Sequence, residues 1–207
     1  MGTLRFGLKA LVICLMFIAP LAWVAWSDFS NKNTNIAFSA KEILGVEYNR
    51  EIIPVINLAQ QLRRDASAAA ASGTAPPTLA EVQTQLKAAQ DKLAAVDARL
   101  GADLGTAKLY AEVQTALAAT QKASGFDAVF QAHTAHIQAL VNLLMAVNDA
   151  SNLTLDPDID SYYLMDAVFF RIPDIVESSG KLRALGLGVM KTGSVTTEQM
   201  RMLNGII

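Results

Sequence analysis

ALVICLMFIAPLAWVAW, residues 10–26, carries no charge over seventeen positions. At a rise of about 1.5 Å per residue a helix of that length spans roughly 26 Å, slightly short of an ideal bilayer core. Arg5 and Lys9 precede it, and no Lys or Arg follows until Lys32. That asymmetry holds residues 1–9 in the cytoplasm and sends the following chain outward. Trp23 and Trp26 lie at the outer end, where amphipathic rings favour the membrane–water boundary. A cleaved signal peptide needs small residues at alternating positions before its processing site. Ala22 and Ala25 are instead three apart, with Trp23 and Val24 between them. Pro20 is tolerated in a spanning helix. The stretch reads as a retained transmembrane helix, and residues 27–207 as an external domain tethered to a membrane.

Composition narrows what that domain is. Of 207 residues 52% are hydrophobic and only 7% aromatic, with 17% charged and a net charge of −2. Such alanine-rich composition favours closely packed helices. A charge near zero gives no reason to expect nucleic acid. Cys14, the single cysteine, lies inside the apolar stretch, so the external part has no disulfide frame, no cysteine nucleophile and no cysteine metal site. Glycine-rich phosphate loops and paired catalytic carboxylates are also absent from the sequence, so neither enzyme nor cofactor is expected.

Periodicity then divides residues 27–207. Leu44, Tyr48, Ile52, Val55, Ala59 and Leu62 step by three and four, one stripe of an amphipathic helix, with a kink expected at Pro54. DASAAAASGTAPP, residues 65–77, reads as a turn. Thr78 and Glu81 form a capping box for the next helix, whose heptad seam runs Leu79, Val82, Leu86, Ala89, Leu93, Val96, Leu100. The phase breaks at Gly101 and Gly105 and resumes at Leu109, Val113 and Ala116. Two glycines cost only about 1 kcal/mol each inside a helix, so one long kinked helix is expected there. A third seam runs Phe126, Phe130, His133, Ile137, Leu140, Leu144, Val147, and a fourth Met165, Val168, Ile172, Ile175, Ser179, Leu182. Gly186, Gly188 and Gly193 read as a turn before Thr196, whose capping partner is Gln199. The expected fold is all-α: a transmembrane helix followed by an antiparallel helix bundle, of four-helix or bimodular type. Five alternating segments would leave the last one heading outward, and GSVTTEQMRMLNGII opens a helix without closing it, so the domain is read as incomplete at its C-terminus.

SNLTLDPDIDSYYLMDAVFFRIP, residues 151–173, places Asp156 as a helix cap, Pro157 at the first helical position, and Asp158 and Asp160 in the first turn, where the exposed amides favour negative charge. The aspartate spacing matches the first half of a calcium loop, but Ser161 and Ala167 stand where that loop needs glycine and a carboxylate. This stretch, together with the anchor and KEILGVEYNREIIP (residues 41–54), resembles the periplasmic sensor region of bacterial methyl-accepting chemotaxis receptors. Related regions are attached to histidine kinases and diguanylate cyclases. The resemblance implies a homodimeric outer bundle that senses a small extracellular ligand, and an output through cytoplasmic signalling proteins by way of a module beyond Ile207.

Charge supplies the candidate ligand-binding residues. Arg50, Arg63 and Arg64 lie on the first helix and Arg171 and Arg183 on the fourth. Guanidinium groups on facing helices could clamp a carboxylate bidentately; the plainer alternative is solvated helix faces. Tyr162 and Tyr163 either pack or line a pocket at the start of the fourth helix. His133 and His136 could hold a metal or sense pH, but no third ligand has suitable spacing, and a buried polar residue that fixes helix register is the preferred reading. A membrane-anchored structural bundle without a ligand is the competing function.

Overall fold

The computed structural model describes residues 6–155 and 159–206. Arg5 and the expected cap Asp156–Pro157 with Asp158 lie outside them. Among the described residues the chain is helical throughout, without a strand. It divides into two compact units, Met1–Lys41 and Glu42–Ile207.

The first unit is the opening part of α1 (Phe6–Ser72). The apolar side chains of residues 10–26 are all exposed, from Leu11 at 55% through Phe17 at 69% to Trp26 at 72%. The stretch is long and apolar enough to cross a membrane, and none of it is buried within the protein.

In the second unit the stripe expected on α1 is the buried face: Tyr48, Ile52, Val55, Ala59 and Leu62 all belong to the main core. The helix passes through Pro54, which faces solvent. It also continues past the turn expected at 65–77. Alanines 66 and 68–71 are the strongest helix formers, and Asp65 and Ser67 are buried, so the turn begins only at Gly73. Thr78 does not form the expected capping box. Its hydroxyl donates to Asp65 Oδ2 at 2.7 Å and ties the two sides of the turn together.

The expected single kinked helix is two. α2 (Leu79–Leu104) ends where Gly105 adopts φ +65° and its amide donates to the Gly101 carbonyl; α3 (Ala107–Thr120) begins at once. Glycine enters this left-handed region without steric cost, and that outweighs the modest propensity argument for continuity. Thr106, 1% exposed, donates to Asp97 and pins the reversal. α3 runs back along α2, since Tyr110 is near Asp91 and Leu117 shares a cleft with Gln83 and Leu86. It nevertheless packs far more closely on α4 (Phe126–Ala150) than on α2.

α4 buries the expected seam, with Ile137, Leu140, Leu144 and Val147 all fully enclosed. It is antiparallel to α1: Asn49 donates to Asn148 at 2.5 Å near one end, and Arg63 to Thr134 at 3.2 Å near the other. Likewise Tyr48 donates to Asp97 at 2.8 Å while Asp65 meets Thr78, so α2 is antiparallel to α1. Each fully buried aliphatic side chain in this core contributes about 1.5–3 kcal/mol.

The fourth expected helix is re-registered. α5 (Ile159–Asp166) passes through a π-helical turn, Ala167–Arg171, into α6 (Ile172–Thr192). The wider turn rotates α6 about its axis, so that of the expected seam only Met165 is buried, while Ile172 is 53% and Ile175 64% exposed. Glu177, Ala184, Leu185 and Gly188 face inward instead. Gly186 and Gly188 are helical rather than part of a turn, and Gly188 gives room for the Phe126 ring to press against the helix. Gly193, at φ +68°, ends α6. The capping box expected at Thr196 and Gln199 is present at the start of α7 (Thr197–Asn204). Because Gly105 adds a reversal, α7 is a sixth pass, not a fifth. It runs beside α4, with Gln199 donating to Asp127 and Met202 packed near Phe130.

Ile137→Ala is expected to cost about 2–5 kcal/mol in chemical denaturation of the detergent-solubilised chain, whereas Ile175→Ala changes stability by less than about 0.5 kcal/mol. Equal losses at both would show that α6 retains the register its sequence seam suggested.

Candidate functional site: a buried ion pair behind an open cleft

Arg63 lies one helical turn beyond Ala59 and Gln60 on the inward face of α1, where an apolar residue would be unremarkable. It is completely buried. A guanidinium removed from water demands a carboxylate and further acceptors. Glu177 of α6 supplies the carboxylate: Nη1 donates to Oε1 at 2.5 Å and Nη2 to Oε2 at 3.1 Å. Nη1 also donates to Thr134 of α4, and the guanidinium carbon stands 5.6 Å from the Phe130 ring centroid. Gln60 Nε2 donates to the second Glu177 oxygen at 3.0 Å, and Lys181 Nζ lies 3.7 Å from the first. The fork is planar and bidentate, the arrangement that suits Arg and not Lys. Arg63 Nε alone has no partner. One network thus joins α1, α4 and α6.

Glu177 and Lys181 also border a solvent-open cleft of about 360 Å³ between α4 and the π turn, with Phe170, Arg171 and Met145 around it. π turns recur at functional sites because the displaced residue is aimed differently from its neighbours. Here the turn delivers Phe169, Phe170 and Arg171 in succession beside α4. Arg171 and Lys181 give the cleft two cationic groups, Asp174 and Glu177 two anionic ones. Arg171 is paired with Asp166 and Lys181 lies beside Glu177, so the lining is close to charge-balanced, with both cations near its surface.

The other expected residues are dispersed. Arg50 is exposed. Arg64 pairs with Asp65 at 2.6 Å. Burial pushes the Asp65 carboxyl up, but the hydrogen bonds from Arg64 and Thr78 outweigh it and hold the group below the usual carboxylate value. Arg171 binds Asp166 of its own segment at 3.0 Å. Arg183 is exposed. Tyr162 and Tyr163 are 40% and 67% exposed and meet edge to face at 5.8 Å. Of the candidates, Arg63 belongs to the buried network and Arg171 to the cleft in front of it. Glu177, Gln60 and Thr134 were not singled out from the sequence. The available signal was an arginine on a buried stripe, which requires a carboxylate on some facing helix.

His133 and His136 are 6% and 1% exposed. Burial pushes His133 down to about 4, helped by the Arg63 charge, and burial together with His133 does the same to His136. No cluster of metal-ligating side chains occurs among the described residues. Comparison with known proteins finds no matching family model, no matching curated protein and no matching solved structure.

Removing one charge of the buried pair should be far worse than removing both. Glu177→Ala leaves Arg63 buried without its counter-ion and is expected to cost about 3–5 kcal/mol, whereas the double change Arg63→Met with Glu177→Leu recovers most of that loss in the same denaturation assay. The histidines make stability pH-dependent. Their folded values lie below the unfolded value of about 6.5, so the unfolded chain takes up protons first. Their contribution is complete above about pH 6.5 and is lost as pH falls toward about 4, at roughly 1.4 kcal/mol per unit of depression. Melting temperature is expected to fall across that window, and less steeply in His136→Leu.

Proposed function

We propose that the chain is the membrane-anchored helical sensor region of a bacterial chemoreceptor-type transducer, with a non-enzymatic role. Residues 10–26 span the inner membrane in contact with lipid, residues 1–9 are cytoplasmic, and the bundle built from residues 42–207 is periplasmic. A small extracellular ligand, a carboxylate, is taken in the cleft by Arg171 and Lys181. The observation that carries this reading is that α1 holds both the exposed apolar stretch and Arg63, whose partner Glu177 borders the cleft.

A ligand carboxylate at Lys181 would compete with Glu177 for that ammonium and alter the field on the Arg63 pair. Two arrangements of α6 against α1 would then differ in ligand affinity, which is the requirement for a binding signal. A displacement of α1 is the route to the membrane-spanning part. Homodimers, and an output through cytoplasmic signalling proteins, are what the resemblance of residues 151–173 to chemotaxis receptors implies. A kinase or cyclase output would leave the sensor reading unchanged.

Alkaline phosphatase inserted after Gly73 is expected to be active in cells, and a fluorescent protein that matures only in the cytoplasm to be dark at the same place; the reverse pattern would overturn the orientation. For the solubilised chain, a panel of dicarboxylates and amino acids is expected to contain one class that raises the melting temperature saturably. Arg171→Ala and Lys181→Ala should each weaken that response about tenfold or more. No response from any carboxylate would leave a structural, ligand-free bundle as the better reading.

A further inference from the structure

A second cleft, of about 530 Å³, opens between α2 and α3 and differs in chemistry from the first. It exists because α3 leans on α4 and stands off from α2 beyond the Gly105 reversal. Glutamines line it at seven-residue spacing on two antiparallel segments: Gln83 and Gln90 from α2, Gln114 from α3 and Gln121 at its C-terminal cap. Residues seven apart share a helix face, so each segment presents a pair of amides to the other. Tyr110 and His133 complete the polar lining, while Leu62, Leu86 and Leu117 supply an apolar floor.

Three observations describe what would fill it. The only charges in its lining are Lys87 and Asp91, which pair with each other at 2.5 Å and are largely in water, so the cleft has no net charge to hold an ion. Gln90 belongs to the cleft wall, and its Nε2 is buried there without a hydrogen-bond partner. Every other polar group there both donates and accepts: the amides, the Tyr110 hydroxyl, and His133, which is neutral at pH 7 because burial lowers its proton affinity.

We propose that this cleft is a binding site for a neutral, polyhydroxylated small molecule of mono- to disaccharide size, separate from the charged cleft beside the π turn. Hydroxyl groups suit such a lining, because each both gives and receives hydrogen bonds without carrying a charge. One of them accepts from Gln90, and others pair with the amides of Gln83 and Gln114. The site does not depend on the sensor reading, because it requires only α1–α4.

The test uses the whole chain in detergent, melted with and without glucose, galactose, maltose and trehalose, with succinate as the charged control. At least one neutral sugar is expected to raise the melting temperature saturably. Gln90→Leu removes an unpartnered donor, so it should leave the apo melting temperature unchanged or raised while weakening the sugar response tenfold or more. Gln114→Ala, at an exposed position, should weaken it also without loss of folding. Arg171→Ala should leave it intact, which separates this site from the carboxylate cleft. No response to any of the four sugars would overturn the proposal, as would a response indifferent to both glutamine changes. A succinate response abolished by Gln90→Leu would overturn the ligand class.

Discussion

A charge cannot be buried cheaply, and Arg63 is buried completely. Its solvation by Glu177, Thr134 and the Phe130 face is therefore a condition on how α1, α4 and α6 pack. Leucines and isoleucines draw these helices together without direction. The ion pair adds direction: Glu177 must reach the level of Gln60 and Arg63, and that fixes the axial position of α6. The buried apolar contacts of α6 centre on Ala184 and Leu185, and the polar tie adds a fixed point to its placement. Such a pair adds little net stability against well-packed apolar residues, and its value lies in specifying one arrangement.

Helical character throughout was legible in the sequence, because stripes of period near 3.6 run over most of it and no alternation competes. The faces of α1 and α4 were legible for the same reason. Three features were not. The helix from Asp65 to Ser72 was obscured by serines and by the prolines beyond it, although its alanines favour helix strongly. The reversal at Gly105 depended on the left-handed conformation of one glycine and the Asp97–Thr106 contact, and a propensity sum sees neither. The face of α6 was misread because a π turn shifts phase without any composition signal.

Legibility of the candidate sites was poorer still. Arginines were visible, but their partners were not: Arg64 and Arg171 find carboxylates nearby in the chain, while Arg63 finds one 114 positions away. Contacts of that sequence separation are set by packing alone. The glutamine-lined cleft was also hidden, since Gln83 and Gln90 come near Gln114 and Gln121 only because α3 doubles back on α2. The apolar stretch at residues 10–26 is the opposite case, since an uncharged run long enough to cross a membrane needs no partner to be recognised.

The dependence of α6 on one ion pair is most directly tested by amide hydrogen exchange on the solubilised chain with and without Glu177→Gln, a change that keeps shape and removes charge. The account predicts that protection falls selectively across residues 172–192 and the neighbouring α7, while the amides of α2 and α3 exchange as before. Unchanged protection in α6, or an equal loss in all helices, would contradict it.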